Sequence, residues 1–222
     1  MASTLANLLD AIEIELSDAG NATWTTAVLT HHIRSALRAY NQIAPRRLKA
    51  NFISVADTRE YNLATSYPNL AEVLDVWYPY DPAEPEAMAT HSPWSMVSDL
   101  VLRLECDADP SGAATEQIRI LYSEPHTIKD LDAASATTLD TQGEQLIIIG
   151  TSAYAAMQYA QSIFNSVTVS TWVQRHYMTY AEGRLAEFDA KLETLRRRLT
   201  TREDARVTWV LSESDQTSKG KI

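Results

Sequence analysis

The chain contains one cysteine, Cys106, in 222 residues. A single thiol excludes an intramolecular disulfide and any zinc site built from cysteines, and a reducing cytoplasm is the simplest compartment for such a chain. Glycine is scarce, with six residues. No P-loop, G-x-G-x-x-G, H-E-x-x-H or G-x-S-x-G motif occurs, so the common phosphate cradles and nucleophile elbows are missing. No apolar run approaches the roughly 20 residues that span a bilayer. The opening stretch, MASTLANLLDAIEIELSDAG, carries acids inside its apolar part and no basic segment ahead of it. It predicts neither a signal nor a transit peptide. Basic residues are short in the middle of the chain: residues 54–140 hold four against sixteen acidic ones, more than the whole net charge of −10. Phosphate backbones need clustered Lys and Arg, so this segment repels nucleic acid, serves solubility or faces a basic partner.

What is present is an ordinary globular composition, 45% hydrophobic and 22% charged. The length fits one large domain or two small ones. Residues 3–17 place Leu5, Leu8, Leu9, Ile12 and Leu16 on one helical face. Asp18 to Asn21 reads as a stop and turn. A second helix starts near Thr25 or Thr26 as cap, runs through Leu29, Ile33, Leu37 and Tyr40, and ends at Pro45. The period then changes to two. The stretch from Phe52 to Ala56, a turn at Ala56–Thr58 and a short strand Glu60–Leu63 predict a hairpin. Further strands are expected over Val73–Tyr80, stopped by Pro79 and Pro82, over Leu100–Glu105, and over Gln117–Ser123. Residues 81–93 read as a loop.

Helical periodicity returns near Gln142–Gln145. Leu146 to Ile163 is apolar almost all round, so this helix should be buried on several sides. After a break at Asn165–Thr168, a fourth helix spans about Thr171 to Arg202, about 48 Å at the helical rise. Met178, Ala181, Leu185, Phe188, Leu192, Leu195 and Leu199 recur at alternating spacings of three and four, a heptad-like seam. Its first turns suit packing against the other helices. Its last turns outrun the short first two helices, which makes Leu185, Phe188, Leu192, Leu195 and Leu199 candidates for a subunit interface. Arg196, Arg197, Arg198 and Arg202 either complement the helix C-terminus or dock on an acidic surface. The tail has one apolar island, Val207 to Leu211. Its Trp209 marks a segment that orders on a partner.

Enzyme readings are weak. Ser123, Glu124 and His126 crowd within four positions at a strand exit, without an elbow and too close in sequence for a triad of distant loops. His31 and His32 diverge by about 100° on their helix, as adjacent residues do. His91 has no partner at metal spacing, and Glu13 and Glu15 diverge. A hydrolase using loop carboxylates or His126 remains an alternative. So does a glycan- or protein-binding module with Trp77, Tyr78, Tyr80 and Trp94 as an aromatic platform, against core packing of the same rings. Turn chemistry accounts for Pro125, His126, Thr127, Asp130 and Asp132.

The expected class is α+β. Two N-terminal and two C-terminal helices form a four-helix-bundle-like domain, residues 1–48 and 141–202. An antiparallel β domain, 49–140, is inserted, and 203–222 form an extended tail. Several pieces follow in order: Trp24 before VLTHHIRSALRAYNQIAP, REYNL at Arg59–Leu63, VLDVWYPY at Val73–Tyr80, IRILYSEPHTI, ATTL at Ala136–Leu139, and EQLIIIGTSAYAA. In this order and spacing the chain resembles the head-tail connector, or adaptor, proteins of tailed bacteriophages. The likeness is to the form with an inserted β domain, the tail tubular protein A type of podoviruses. The resemblance implies a structural virion protein without catalysis, metal or cofactor. It implies a ring, usually of twelve copies, beneath the portal, assembled in the host cytoplasm. Such a ring joins the portal to the next neck or tail component around a channel through which DNA passes without sequence-specific binding. No membrane is involved.

Overall fold

A computed structural model describes residues 3–18, 20, 22–83, 93–163 and 171–207, with side chains in the last helix described from 172 to 201. The protein is α+β, with four helices and two small antiparallel sheets. It divides into a helical unit, Met1–Ala44 with Thr127–Ile222, and a β unit, Pro45–His126.

In the helical unit, α1 spans Leu5–Leu16 and α2 spans Thr26–Ile43. Thr4 caps α1 and Thr25 caps α2, each hydroxyl accepting from a backbone N–H three residues on. Helix α1 stops at Ser17, in the left-handed region at φ 54°. Asp18 is buried, and its carboxylate accepts from the Thr23 and Trp24 amides at 2.9–3.0 Å. Those bonds fix the entry into α2 and place Trp24 inward. Its indole N–H donates to the Ala155 carbonyl at 3.0 Å, and its ring meets Tyr159 and Tyr177.

Helix α3, Thr141–Ser162, is the centre of the bundle. Asp140 caps it, Oδ1 accepting from the Gly143 amide at 2.7 Å. Its buried set has three large aliphatics (Leu146, Ile147, Ile149) among small residues, which include Gly150, Ala153, Ala155, Ala156 and Ala160. Small residues let neighbouring helices approach closely, and α1, α2 and α4 all pack on it. Helix α4, Thr171–Val207, has 37 residues and is about 55 Å long at the usual rise. The pairs Tyr159–Tyr177, Gly150–Phe188 and Gln142–Arg198 show that α3 and α4 run antiparallel.

The β unit has two three-stranded sheets over one core. In the first, β1 (Arg46–Ile53) and β3 (Glu72–Tyr80) flank β6 (Gln117–Glu124). In the second, β2 (Glu60–Asn62) and β4 (Trp94–Ser98) flank β5 (Val101–Leu104). Val76, Leu102, Leu104, Ile118 and Ile120 are fully buried between them, with Tyr61, Tyr78 and Tyr122.

Several expectations are corrected. The hairpin over residues 52–63 does not form: β1 pairs with β6 and β2 with β5. The turn at Ala56–Thr58 exists, with Asp57 at φ 56°, but it carries the chain from one sheet to the other. Pro79 does not stop β3; it lies inside the strand after a cis Tyr78–Pro79 bond, where the register shifts. Trp94 opens β4, a strand the sequence reading missed. The β unit begins at Pro45 and ends at His126, not at 49 and 140. Residues 127–140 belong to the helical unit. Their Ile128, Leu131 and Leu139 enter the helical core, and the Lys129 carbonyl accepts from the Leu5 amide at 3.0 Å.

Candidate functional site

The seam of α4 is filled from within the chain. Phe188 is 0% exposed and lies against Gly150, where an added Cβ would stand 2.8 Å from its ring. Ala181 and Leu192 are buried, and Leu185, Leu195 and Leu199 pack on the same core. This corrects the idea that the last seam positions lack an internal partner. Because α3 runs antiparallel and starts level with Arg198, its first turns cover Leu195 and Leu199. The subunit-interface role expected for Phe188 and Leu192 is incompatible with their burial here.

The opposite face of α4 is ionic. Arg184 pairs with Glu15 of α1 and with Glu187 at 2.8 Å. Lys191 pairs with Glu187 at 2.7 Å, and these cations, Lys191 first, hold the Glu187 carboxyl below its ordinary range. Arg196 and Arg197 are exposed and pair with Glu193 at 3.8 and 3.0 Å. Such exposed helix pairs contribute little to stability. Arg198 crosses to α3, donating to Gln142 Oε1 at 3.3 Å. Trp209, the break at Asn165–Thr168, His91 and the Arg202 side chain lie outside the described residues.

Between the C-terminal end of α2, the first turn of α3 and α4 lies a cleft of about 400 Å³. Tyr40, Leu146 and Leu195 form its apolar wall, and Lys191 and Arg198 stand on the α4 side with Asp140 opposite. Burial, then the Asp140 charge, pushes the Tyr40 phenol up. Gly143 leaves room for Tyr40: an added Cβ would stand 3.1 Å from the phenol oxygen. Periodicity starts α3 near Gln142–Gln145 and marks no cap; the Asp140 cap and its charge beside Tyr40 emerge only on folding.

No protein-family model and no curated protein matches the chain. Among solved structures, similar chains occur in gene transfer agent (GTA) particles. One is in the neck of an empty particle computed with C6 symmetry, 15% identical at TM-score 0.31, covering 81% of this chain and 88% of that one. A second is in the virion of the native particle, 15% identical at TM-score 0.29, covering 82% and 88%. A third is in the neck of the native particle computed with C12 symmetry, 13% identical at TM-score 0.28, covering 83% and 93%. These values lie below those of a shared fold, and nothing about function follows from them.

The candidate catalytic groups do not assemble. Ser123 is 2% exposed inside β6, its hydroxyl toward the Glu72 carbonyl at 3.5 Å, so no substrate reaches it. His32 is buried and bonded to Gln158 Oε1 at 2.7 Å, whereas His31 is exposed. Among the described residues no group of three or more His, Cys, Asp and Glu stands at metal-holding geometry, and no helix is long and apolar enough to cross a membrane. The four aromatics do not form one platform. Tyr78 enters the core, and Trp94 packs against the same cluster. Trp77 and Tyr80 share the Arg119 guanidinium, 5.5 and 3.6 Å from their ring centres. Successive strand residues face opposite sides, which separates Trp77 from Tyr78.

Proposed function

We propose that the protein is a head-to-tail adaptor, a structural virion component that forms a ring beneath a portal and joins it to the next neck or tail component. One observation carries the reading: a helical unit built from both ends of the chain, interrupted by a β unit and closed by a 37-residue helix. The ordered markers of the family resemblance fall at the places that hold this arrangement. Trp24 ties α2 to α3, Arg59–Leu63 includes β2, Val73–Tyr80 forms most of β3, and Ile118–Ile128 completes β6 and returns to the helical core. The Ser-Glu-Pro-His stretch is the strand exit within that return.

Helix α4 runs past the start of α3 by about two turns, which gives each copy a projection for a neighbour. Exposed Arg196 and Arg197 complement the acid-rich segment 54–140 of another copy. Where that segment lines a channel, its charge keeps DNA from adhering. The partners are then the chain itself in about twelve copies, the portal and a downstream neck or tail protein, with no cofactor. Quantitative mass measurement of purified particles tests this. Many copies per particle, seen as one ring at the neck by electron microscopy, are expected. Particles lacking the protein would overturn the reading.

A further inference from the structure

We infer that the cleft between α2, α3 and α4 receives the C-terminal segment Thr208–Asp215 of a second copy of this chain. The inference rests on the ring reading and names the contact that would link its subunits. The cleft is an apolar wall of Tyr40, Leu146 and Leu195 with two cations, Lys191 and Arg198, along the α4 side and one carboxylate, the α3 cap Asp140, which accepts from the Gly143 amide, opposite. Its volume of about 400 Å³ falls in the range that takes a sizeable group. The tail offers a matching order of chemistry: Trp209, Val210 and Leu211, then Glu213 and Asp215. Lys219 and Lys221 lie further out. Lys191 bonds Glu187 and Arg198 bonds Gln142, but an ammonium has three donors and a guanidinium five, so both can also hold a carboxylate.

Reach decides whose tail it is. Leu195 lies twelve residues before the helix end at Val207, about 18 Å back along the axis. From Val207 to Trp209 an extended chain spans at most about 7 Å. A chain's own Trp209 therefore falls short of its own Leu195 wall, and an indole seated there comes from a neighbour. Donor and acceptor are different surfaces, so the contact is heterologous. Repeated, it produces a closed ring or an open filament rather than a two-fold dimer. An acidic, Trp-anchored tail of one copy on the cationic cleft of the next suits a ring.

The test uses the full chain carrying Trp209→Ala as receptor and a labelled peptide of residues 206–222 as probe, followed by fluorescence anisotropy. Saturable binding is expected. It should weaken about tenfold or more when the receptor also carries Lys191→Glu and Arg198→Glu, or when the peptide carries Trp209→Ala. A peptide with Glu213→Lys and Asp215→Lys should recover affinity for the charge-reversed receptor, whose helicity is checked by circular dichroism. Absence of saturable binding, or binding indifferent to these changes, would overturn the inference. In a Cys106→Ser background, Thr194→Cys and Leu211→Cys should oxidise to chain-linked multimers; a bridged monomer would refute the neighbour as donor. Particle copy number is independent of these results. A many-copy ring whose tail peptide does not bind sinks this inference alone, and particles without the protein sink the ring reading.

Discussion

The two units solve the same packing problem with different materials. The helical unit buries leucine and isoleucine against a helix of small residues, so α4 comes close enough for Phe188 to fill the space above Gly150. The β unit buries tyrosines and branched aliphatics between two short sheets, and its polar rim carries the ordering: the Tyr78 hydroxyl bonds Glu116, which Ser111 also holds. Close helix approach depends on the absence of side-chain volume at one position. The β core depends on large side chains whose polar ends find partners at its edge. Errors of size should therefore be punished most in the helical unit, and errors of polarity at the rim of the β unit.

The largest effects come from emptying either core. Phe188→Ala should cost about 3–5 kcal/mol in the helical transition, and Ile120→Ala about 2–5 kcal/mol in the β transition. Chemical denaturation read by helical circular dichroism follows the first, and fluorescence of Trp77 and Trp94 in a background with Trp24, Trp172 and Trp209 each changed to Phe follows the second. Equal shifts of both signals in both variants would break the distinction between units.

Overfilling comes next. Gly150→Ala should destabilise by about 1–3 kcal/mol because the new methyl meets the Phe188 ring. Gly183→Ala, on α4, meets nothing within 4 Å and should instead stabilise by up to about 1 kcal/mol. A like response at the two glycines, measured by urea midpoints, would show that close approach is not what Gly150 provides. Asp140→Ala removes the cap of α3 and should cost about 1 kcal/mol, with the helical transition moving and the β transition fixed.

The smallest effect is a dependence on pH confined to the helical unit. Burial lowers the proton affinity of His32 below the ordinary 6.5, against the Gln158 bond that raises it, with His31 adding a smaller lowering. The unfolded chain takes up the proton first. Stability is therefore full above pH 6.5 and falls as the pH drops below it. Urea midpoints from neutral pH down to about pH 5 should fall less in His32→Leu than in the parent chain. Equal slopes would remove His32 as the cause.

The helices were legible because each carries its own evidence. Thr25 caps α2, Pro45 follows it, and the apolar positions of each helix repeat within a few residues. The alternation of β5 and β6 was equally local. Pairing was not, since Arg46 meets Glu124 and Glu60 meets Arg103 across long stretches of intervening chain. Alternation says which side chains share a face, while the partner strand depends on which faces bury one another. The seam of α4 shows the same limit. Its heptad spacing fixed a buried stripe, and two kinds of partner fit that stripe equally well.

The sequence by itself determined four helices around an inserted β region, the acid excess of the middle segment, and a fourth helix with a continuous apolar seam. Periodicity and charge are properties of neighbours along the chain, so one sequence states them fully. Only the tertiary structure decided that Phe188 and Leu192 close the chain's own core, and that residues 127–140 belong with the helices. It also brought Tyr40, Asp140, Lys191 and Arg198 around one cleft. Those outcomes depend on the antiparallel alignment of α3 with α4, a register set by side-chain volumes at Gly150 and Phe188 that are far apart in the chain and meet only on folding.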